Sequence, residues 1–200
     1  AMLDCQLAIQ ENAFGRYFAT GEVPGPLGTR HPIATPFEAL RTADGYIVVG
    51  IMGGPVDQWP LFCAAIDRVD LIDDERFRDG WSRVQHYHIL KPIFDQAMRQ
   101  KRSQEWVDTL SGMGIACGPV NTIDQVAADP QVHHREMIRE MAYPGLGKVK
   151  TINSPIKMSR TPPALAGPAP ELGQHSEEVL RRFLGMKDAQ LQQLRSEGVI

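Results

Sequence analysis

Two hundred residues suit one or two small domains. At 42% hydrophobic and 22% charged, the chain has the apolar content for a genuine core. Its net charge is −3, with no basic stripe carrying interleaved aromatics, which argues against a nucleic-acid partner.

No apolar run reaches the roughly 18–20 residues that cross a bilayer, so no membrane association is expected. The opening residues lack the basic stretch of a secretory leader. Cys5, Cys63 and Cys117 are widely spaced and form no C-x-x-C pair; reduced thiols in a cytoplasmic protein are expected.

Leu3, Leu7, Phe14 and Phe18 recur at helical spacing and predict a helix over residues 2–19. No Ser, Thr, Asp or Asn stands ahead of it as a cap, so further protein is expected upstream. Residues 21–36 hold Gly21, Pro24, Gly25, Pro26, Gly28, Pro32 and Pro36, a density that predicts an extended loop. A hairpin follows, with strands over 37–42 and 46–51. Ala43-Asp44-Gly45 forms its turn, where Asp-Gly is expected to supply positive φ. Tyr46-Ile47-Val48-Val49 is almost wholly apolar and predicts a strand buried on both faces.

After Gly53-Gly54-Pro55, a helix is expected over 57–66 with Pro60 in its first turn, then a polar connector, Asp73 to Phe77. Ser82 is the expected cap of a long helix to about residue 100, kinked at Pro92. Ser103 is the expected cap of the next, which Gly114 closes. A short strand over 115–120 precedes a helix opened by a Thr122/Gln125 capping box and closed by Asp129-Pro130. A second hairpin is expected over 137–143 and 148–152, around Pro144 to Gly147. The proline-rich residues 161–173 predict a stiff strap. Ser176 is the expected cap of a helix that Gly185 stops, and 187–196 a last short helix.

Tests for reactive constellations give little. His86 and His88 are two apart and His133 and His134 adjacent, spacings that split each pair between helix faces, so no metal site is expected. Cys117 is either a thiol nucleophile or, in its short apolar strand, a buried structural cysteine. The segment Gly25 to Pro32 stands out. Its glycines allow close backbone approach to a ligand, Arg30 offers a fork for a carboxylate or phosphate, and His31 a switchable proton donor. The alternative is a linker merely shaped by Gly and Pro.

Seven motifs then occur in order. Gly28-Thr29-Arg30-His31-Pro32 leads to Thr42-Ala43-Asp44-Gly45-Tyr46. Asp74-Glu75-Arg76-Phe77 precedes Arg83. Gly114-Ile115-Ala116-Cys117-Gly118-Pro119-Val120-Asn121 is followed by Asp129-Pro130-Gln131-Val132, Ser154-Pro155-Ile156-Lys157-Met158-Ser159, Leu172-Gly173-Gln174-His175-Ser176 and Gly198-Val199-Ile200. Together they resemble the C-terminal half of class III CoA-transferases, the CaiB/BaiF type, with Gln174 and Ser176 as mild departures.

The resemblance implies an α/β (α+β) fold. Residues 1–20 are then the last helix of a large domain, 21–35 a linker, 36–130 a small α/β domain, 131–175 a linker strap with its hairpin, and 176–200 helices returning to the large domain. It implies CoA transfer from an acyl-CoA to a free carboxylic acid through an aspartyl anhydride, with the nucleophilic aspartate upstream and no catalytic residue here. Coenzyme A thioester is substrate, not a tightly bound cofactor. Gly28, Thr29, Arg30 and His31 become the substrate-loop candidates. An interlocked homodimer, or a separate N-terminal half as partner, is expected. A 2-methylacyl-CoA racemase relative and an inactive module whose tail from Ser176 is mobile or docks on a neighbouring copy are the alternatives.

Overall fold

The computed structural model describes residues 1–164 and 167–200. It divides into two units, Ala1–Val120 and Asn121–Ile200. The fold mixes α-helices with small antiparallel sheets, the α+β class expected.

The first unit opens with helices α1 (Met2–Ala8) and α2 (Glu11–Thr20). They replace the single predicted helix: at the junction Gln10 N–H reverts to a tighter bond to the Leu7 carbonyl, and φ/ψ at Gln10 leave the helical region. Neither helix buries a residue, and Phe18 is 76% exposed. The apolar stripe that the periodicity predicts is therefore present and uncovered within the unit.

Strands β1 (Phe37–Arg41), β2 (Tyr46–Gly50) and β3 (Ala116–Pro119) form an antiparallel sheet in that order. Along β2 only Ile47 and Val49 are buried; Tyr46 and Val48 face outward, 47% and 39% exposed. The expectation of two buried faces is thus corrected. Helices cover one side of the sheet only, and the β-branched run reflects strand propensity as well as burial. The turn also differs from expectation, since neither Asp44 nor Gly45 takes positive φ. A Cβ on Gly45 would instead stand 3.3 Å from Ser103 Oγ, so the glycine leaves room for the Ser103 side chain rather than bending the chain.

Helix α3 (Trp59–Ala65) starts where Asp57 accepts from Trp59 N–H, with Pro60 in the first turn as expected. The connector is not merely polar. Asp74 caps a 3₁₀ turn, Glu75–Phe77, which drives Phe77 fully into the core. The long helix predicted next is two, α4 (Gly80–Gln85) and α5 (Tyr87–Met98). Asp79, not Ser82, supplies the cap, through Ser82 N–H at 2.7 Å. The break falls at His86, whose ring Nδ1 lies 2.9 Å from the Ser82 carbonyl, and Pro92 sits inside α5. His86 is accordingly half-buried and edge-on to Phe77.

Helix α6 (Ser103–Gly112) is followed by Gly114 at φ 76°, the left-handed closure expected. Its start is corrected: Ser103 is the first helical residue, and its N–H donates to Asp44 from the hairpin turn at 2.8 Å. The core lies between the sheet and helices α3, α5 and α6. Trp59, Phe62, Phe77 and Phe94 meet there with ring centroids 5.4–6.4 Å apart, largely tilted or edge-on. Burying each such ring stabilises the unit by about 1.5–3 kcal/mol.

In the second unit, α7 (Ile123–Ala128) opens with Thr122 N–H donating to Gln125 Oε1 at 2.8 Å. Asp129 ends it and caps α8 (Pro130–His134). Strands β4 (Ile138–Tyr143) and β5 (Gly147–Ile152) form the second hairpin, with positive φ at Gly145 and Gly147. The predicted strap, 161–173, runs partly outside the described residues, at 165 and 166. Helix α9 (Ser176–Leu184) is stopped by Gly185 at φ 65°, with His175, not Ser176, at its cap position. Helix α10 (Asp188–Ser196) closes the chain, tied to α9 by Arg181–Asp188 and Arg195–Glu177 ion pairs.

Candidate functional site

The loop Gly28 to Pro32 does not hang free. It lies along the open edge of β1, where His31 N–H donates to the Phe37 carbonyl at 2.8 Å. Ala39 N–H donates to Thr29 Oγ1 at 3.2 Å. Unpaired edge groups of a strand are thereby satisfied by the loop itself. Gly28 has φ 67°, with open space where a Cβ would point, so its requirement is conformational.

Arg30 and His31 go to different partners. The His31 ring stacks on Phe37, with centroids 4.8 Å apart and planes 12° from parallel. Its Nδ1 lies 3.4 Å from Ile33 N–H, which leaves Nε2 to carry the proton of the neutral ring. Arg30 places its guanidinium carbon 4.3 Å from the centre of the Tyr87 ring at the start of α5.

Behind Tyr87 lies a charged network that sequence reasoning missed. Glu38, on the core face of β1, is 3% exposed. Its Oε2 accepts from the Tyr87 hydroxyl at 2.7 Å and lies 3.3 Å from Lys91 Nζ, while Oε1 has no partner among the described residues. Lys91 also donates to Asp95 at 2.6 Å. Burial, then the bond to Glu38, holds the Tyr87 phenol well above its ordinary range. Burial works against the Lys91 charge, but Asp95 and Glu38 outweigh it and hold Lys91 above the usual lysine value. Tyr87, Lys91 and Asp95 recur every four residues on one helix face; that periodicity is the signal available in the sequence.

The D-x-R-F…R segment proves architectural. Asp74 and Arg76 pair at the surface, where the Arg76 side chain and then its backbone N–H bring the carboxyl down to about 2. Arg83 is buried against Trp59 and donates to the carbonyls of Thr35 and Phe77, both at 2.9 Å. It fastens the end of the loop segment to the core.

On the outward face of the sheet a groove of about 420 Å³ is lined by Phe37, Val48, Gly50, Met52, Ala116 and Gly118, with Cys117 at its side. The Cys117 thiol lies 3.4 Å from Ser111 Oγ and 3.7 Å from the Val107 carbonyl, the contacts of a structural cysteine. Burial pushes the Cys63 thiol up to about 12, which keeps it un-ionised and inert. Among the described residues no three His, Cys, Asp or Glu side chains group as metal ligands, and no helix is long and apolar enough to cross a membrane.

A glycine-bearing loop fixed to a sheet edge here presents a guanidinium and an imidazole, groups whose chemistry is to pair with acids. The comparisons narrow that chemistry. The sequence model of CoA-transferase family III matches residues 1–176, and the chain belongs to that family. It is 30% identical over 199 residues to human succinyl-CoA:glutarate CoA-transferase, covering all of this chain and 45% of that one. It is 32% identical over 181 residues to succinyl-CoA:mesaconate CoA-transferase of Haloarcula marismortui, covering 90% and 44%. A crystal structure of a CaiB/BaiF family protein from Brucella suis superposes with a TM-score of 0.70 at 27% identity, covering 90% of this chain and 46% of that one. The chain thus spans a little under half the length of the relatives it matches.

Proposed function

We propose that this chain is the C-terminal portion of a CoA-transferase that moves CoA from an acyl-CoA thioester to a free carboxylic acid. The observation that carries the reading is the Gly28–His31 loop, anchored on β1 with its guanidinium and imidazole held by aromatic partners. Family membership supplies the reaction class. The named relatives act on succinyl-CoA with glutarate or mesaconate, which favours dicarboxylic substrates.

In this reading Thr29, His31 and the loop backbone steady the oxyanion of the tetrahedral intermediate, while Arg30 steers the acyl group by its free carboxylate. A carboxylate elsewhere forms the mixed anhydride that splits one acyl transfer into two easier ones. Glu38 does not suit that role, being buried and engaged by Tyr87 and Lys91. We assign the nucleophile to a segment outside these 200 residues, in the same polypeptide or a partner.

The domain reading follows. Residues 36–130 serve as the small domain, 21–35 and 131–175 as linkers, and helices at both ends complete a large domain in a cytoplasmic dimer. Uncovered apolar positions on α2 and α9, such as Phe18 and Phe183, support that part.

Separation of the thioesters formed when succinyl-CoA is mixed with a panel of free acids tests the function. The protein assembled with its nucleophile-bearing segment makes a new acyl-CoA from at least one dicarboxylate. Folded protein that exchanges CoA with no acid refutes the proposal.

A further inference from the structure

Arg30 is held by an aromatic face and not by a carboxylate. Among the described residues it makes no ion pair and no side-chain hydrogen bond, and it is half-buried. A planar guanidinium lying on a ring keeps the N–H donors at its rim unspent.

The ring beneath it is locked. The Tyr87 hydroxyl donates to Glu38, Lys91 closes on the same oxygen, and Asp95 holds Lys91 in turn. Donation to a carboxylate raises electron density in the phenol and strengthens its hold on a cation. Each charge in this base is already engaged, so the fork of Arg30 remains the group available to an incoming anion.

We propose that Tyr87, on its Glu38–Lys91–Asp95 base, positions Arg30 to grip the carboxylate of a dicarboxylic acyl group that does not become the thioester. The inference rests on the CoA-transfer reading and deepens it to a substrate class. Two parallel N–H bonds to that carboxylate fix the acyl chain at its far end. A monocarboxylic acid of equal length places a methyl there and leaves the donors unpaired. Arg30 touches substrate; Tyr87 acts through it as a positioning residue.

The first test uses the 200-residue chain itself. The Arg30 Nε–H signal in an ¹⁵N spectrum, assigned by its loss in Arg30→Lys, is followed while glutarate is added, with neutral glutaramide as control. Glutarate moves the signal saturably and glutaramide does not. Tyr87→Leu weakens the response about threefold or more, while Tyr87→Phe, which keeps the ring but loses its bond to Glu38, falls between Tyr87→Leu and wild type. An Arg30 signal indifferent to glutarate overturns the proposal, as does a folded Tyr87→Leu variant that binds like wild type.

The second test uses the active transferase, comparing glutarate with pentanoate as acceptors. Arg30→Gln raises KM for glutarate about tenfold or more with kcat little changed, and leaves pentanoate alone. Equal losses on both acids overturn the assignment to the far carboxylate. A wild type with no transfer but a normal glutarate titration refutes the CoA-transfer reading while upholding the carboxylate site.

Discussion

Asp44 shows how one side chain can hold two distant elements. It sits in the first hairpin turn, yet its carboxylate accepts from Ser103 N–H and Oγ at the start of α6 and from Arg102 Nε. The backbone N–H of Ser103 is the largest of the effects that bring its pKa down from 3.8 to about 2. Because the folded value lies below the unfolded one, its contribution to stability is complete above about pH 4 and disappears as pH falls through about 2. Urea titrations should therefore show Asp44→Asn less stable than wild type at pH 6, with the gap clearly smaller at pH 2.5. A gap as wide at pH 2.5 as at pH 6 would show that the charge is not what ties the turn to the helix. The exposed Arg102 adds little to this bond, since an ion pair in water is worth little.

At the scale of elements, the three-stranded sheet is a one-sided layer. Ile47 and Val49 enter the core while Val48 looks outward beside Ala39 and Gly118, its cross-strand neighbours. Ile47→Ala should cost about 2–4 kcal/mol in chemical unfolding, and Val48→Ala less than about 1.5 kcal/mol. Equal costs would mean that both faces are packed.

Much of this layer was legible in the sequence. The positions of both hairpins and the closures of α6 and α9 follow from Gly, Pro and strand-forming residues close together in the chain. Less legible were features decided at a distance. The cap of α6 arrives from a residue 59 positions away, and Tyr87 meets Glu38 across 49. Local rules then nominated the nearest hydroxyl, Ser103 or Ser82, where a carboxylate does the work. The Tyr46–Val49 run misled for another reason: β-branched residues favour strands whether or not a second layer covers them. The loop Gly25 to Pro32 could be picked out by composition, but its lodging on β1 and the ring under Arg30 required the fold.

For the molecule as a whole, a family member spanning a little under half the length of its relatives holds a well-packed α+β unit. On its edge lies a loop that presents Arg30 and His31, and Glu38, behind the Tyr87 ring under Arg30, is buried. The account stands on the reacting carboxylate belonging to other residues. Intact-mass and peptide mass spectrometry of this chain after incubation with succinyl-CoA, quenched in acid, addresses it most directly. Every peptide should keep its unmodified mass, while an assembled transferase treated alike should carry the adduct on a residue not found in this sequence. A succinyl or CoA adduct on any carboxylate of these 200 residues would contradict the account.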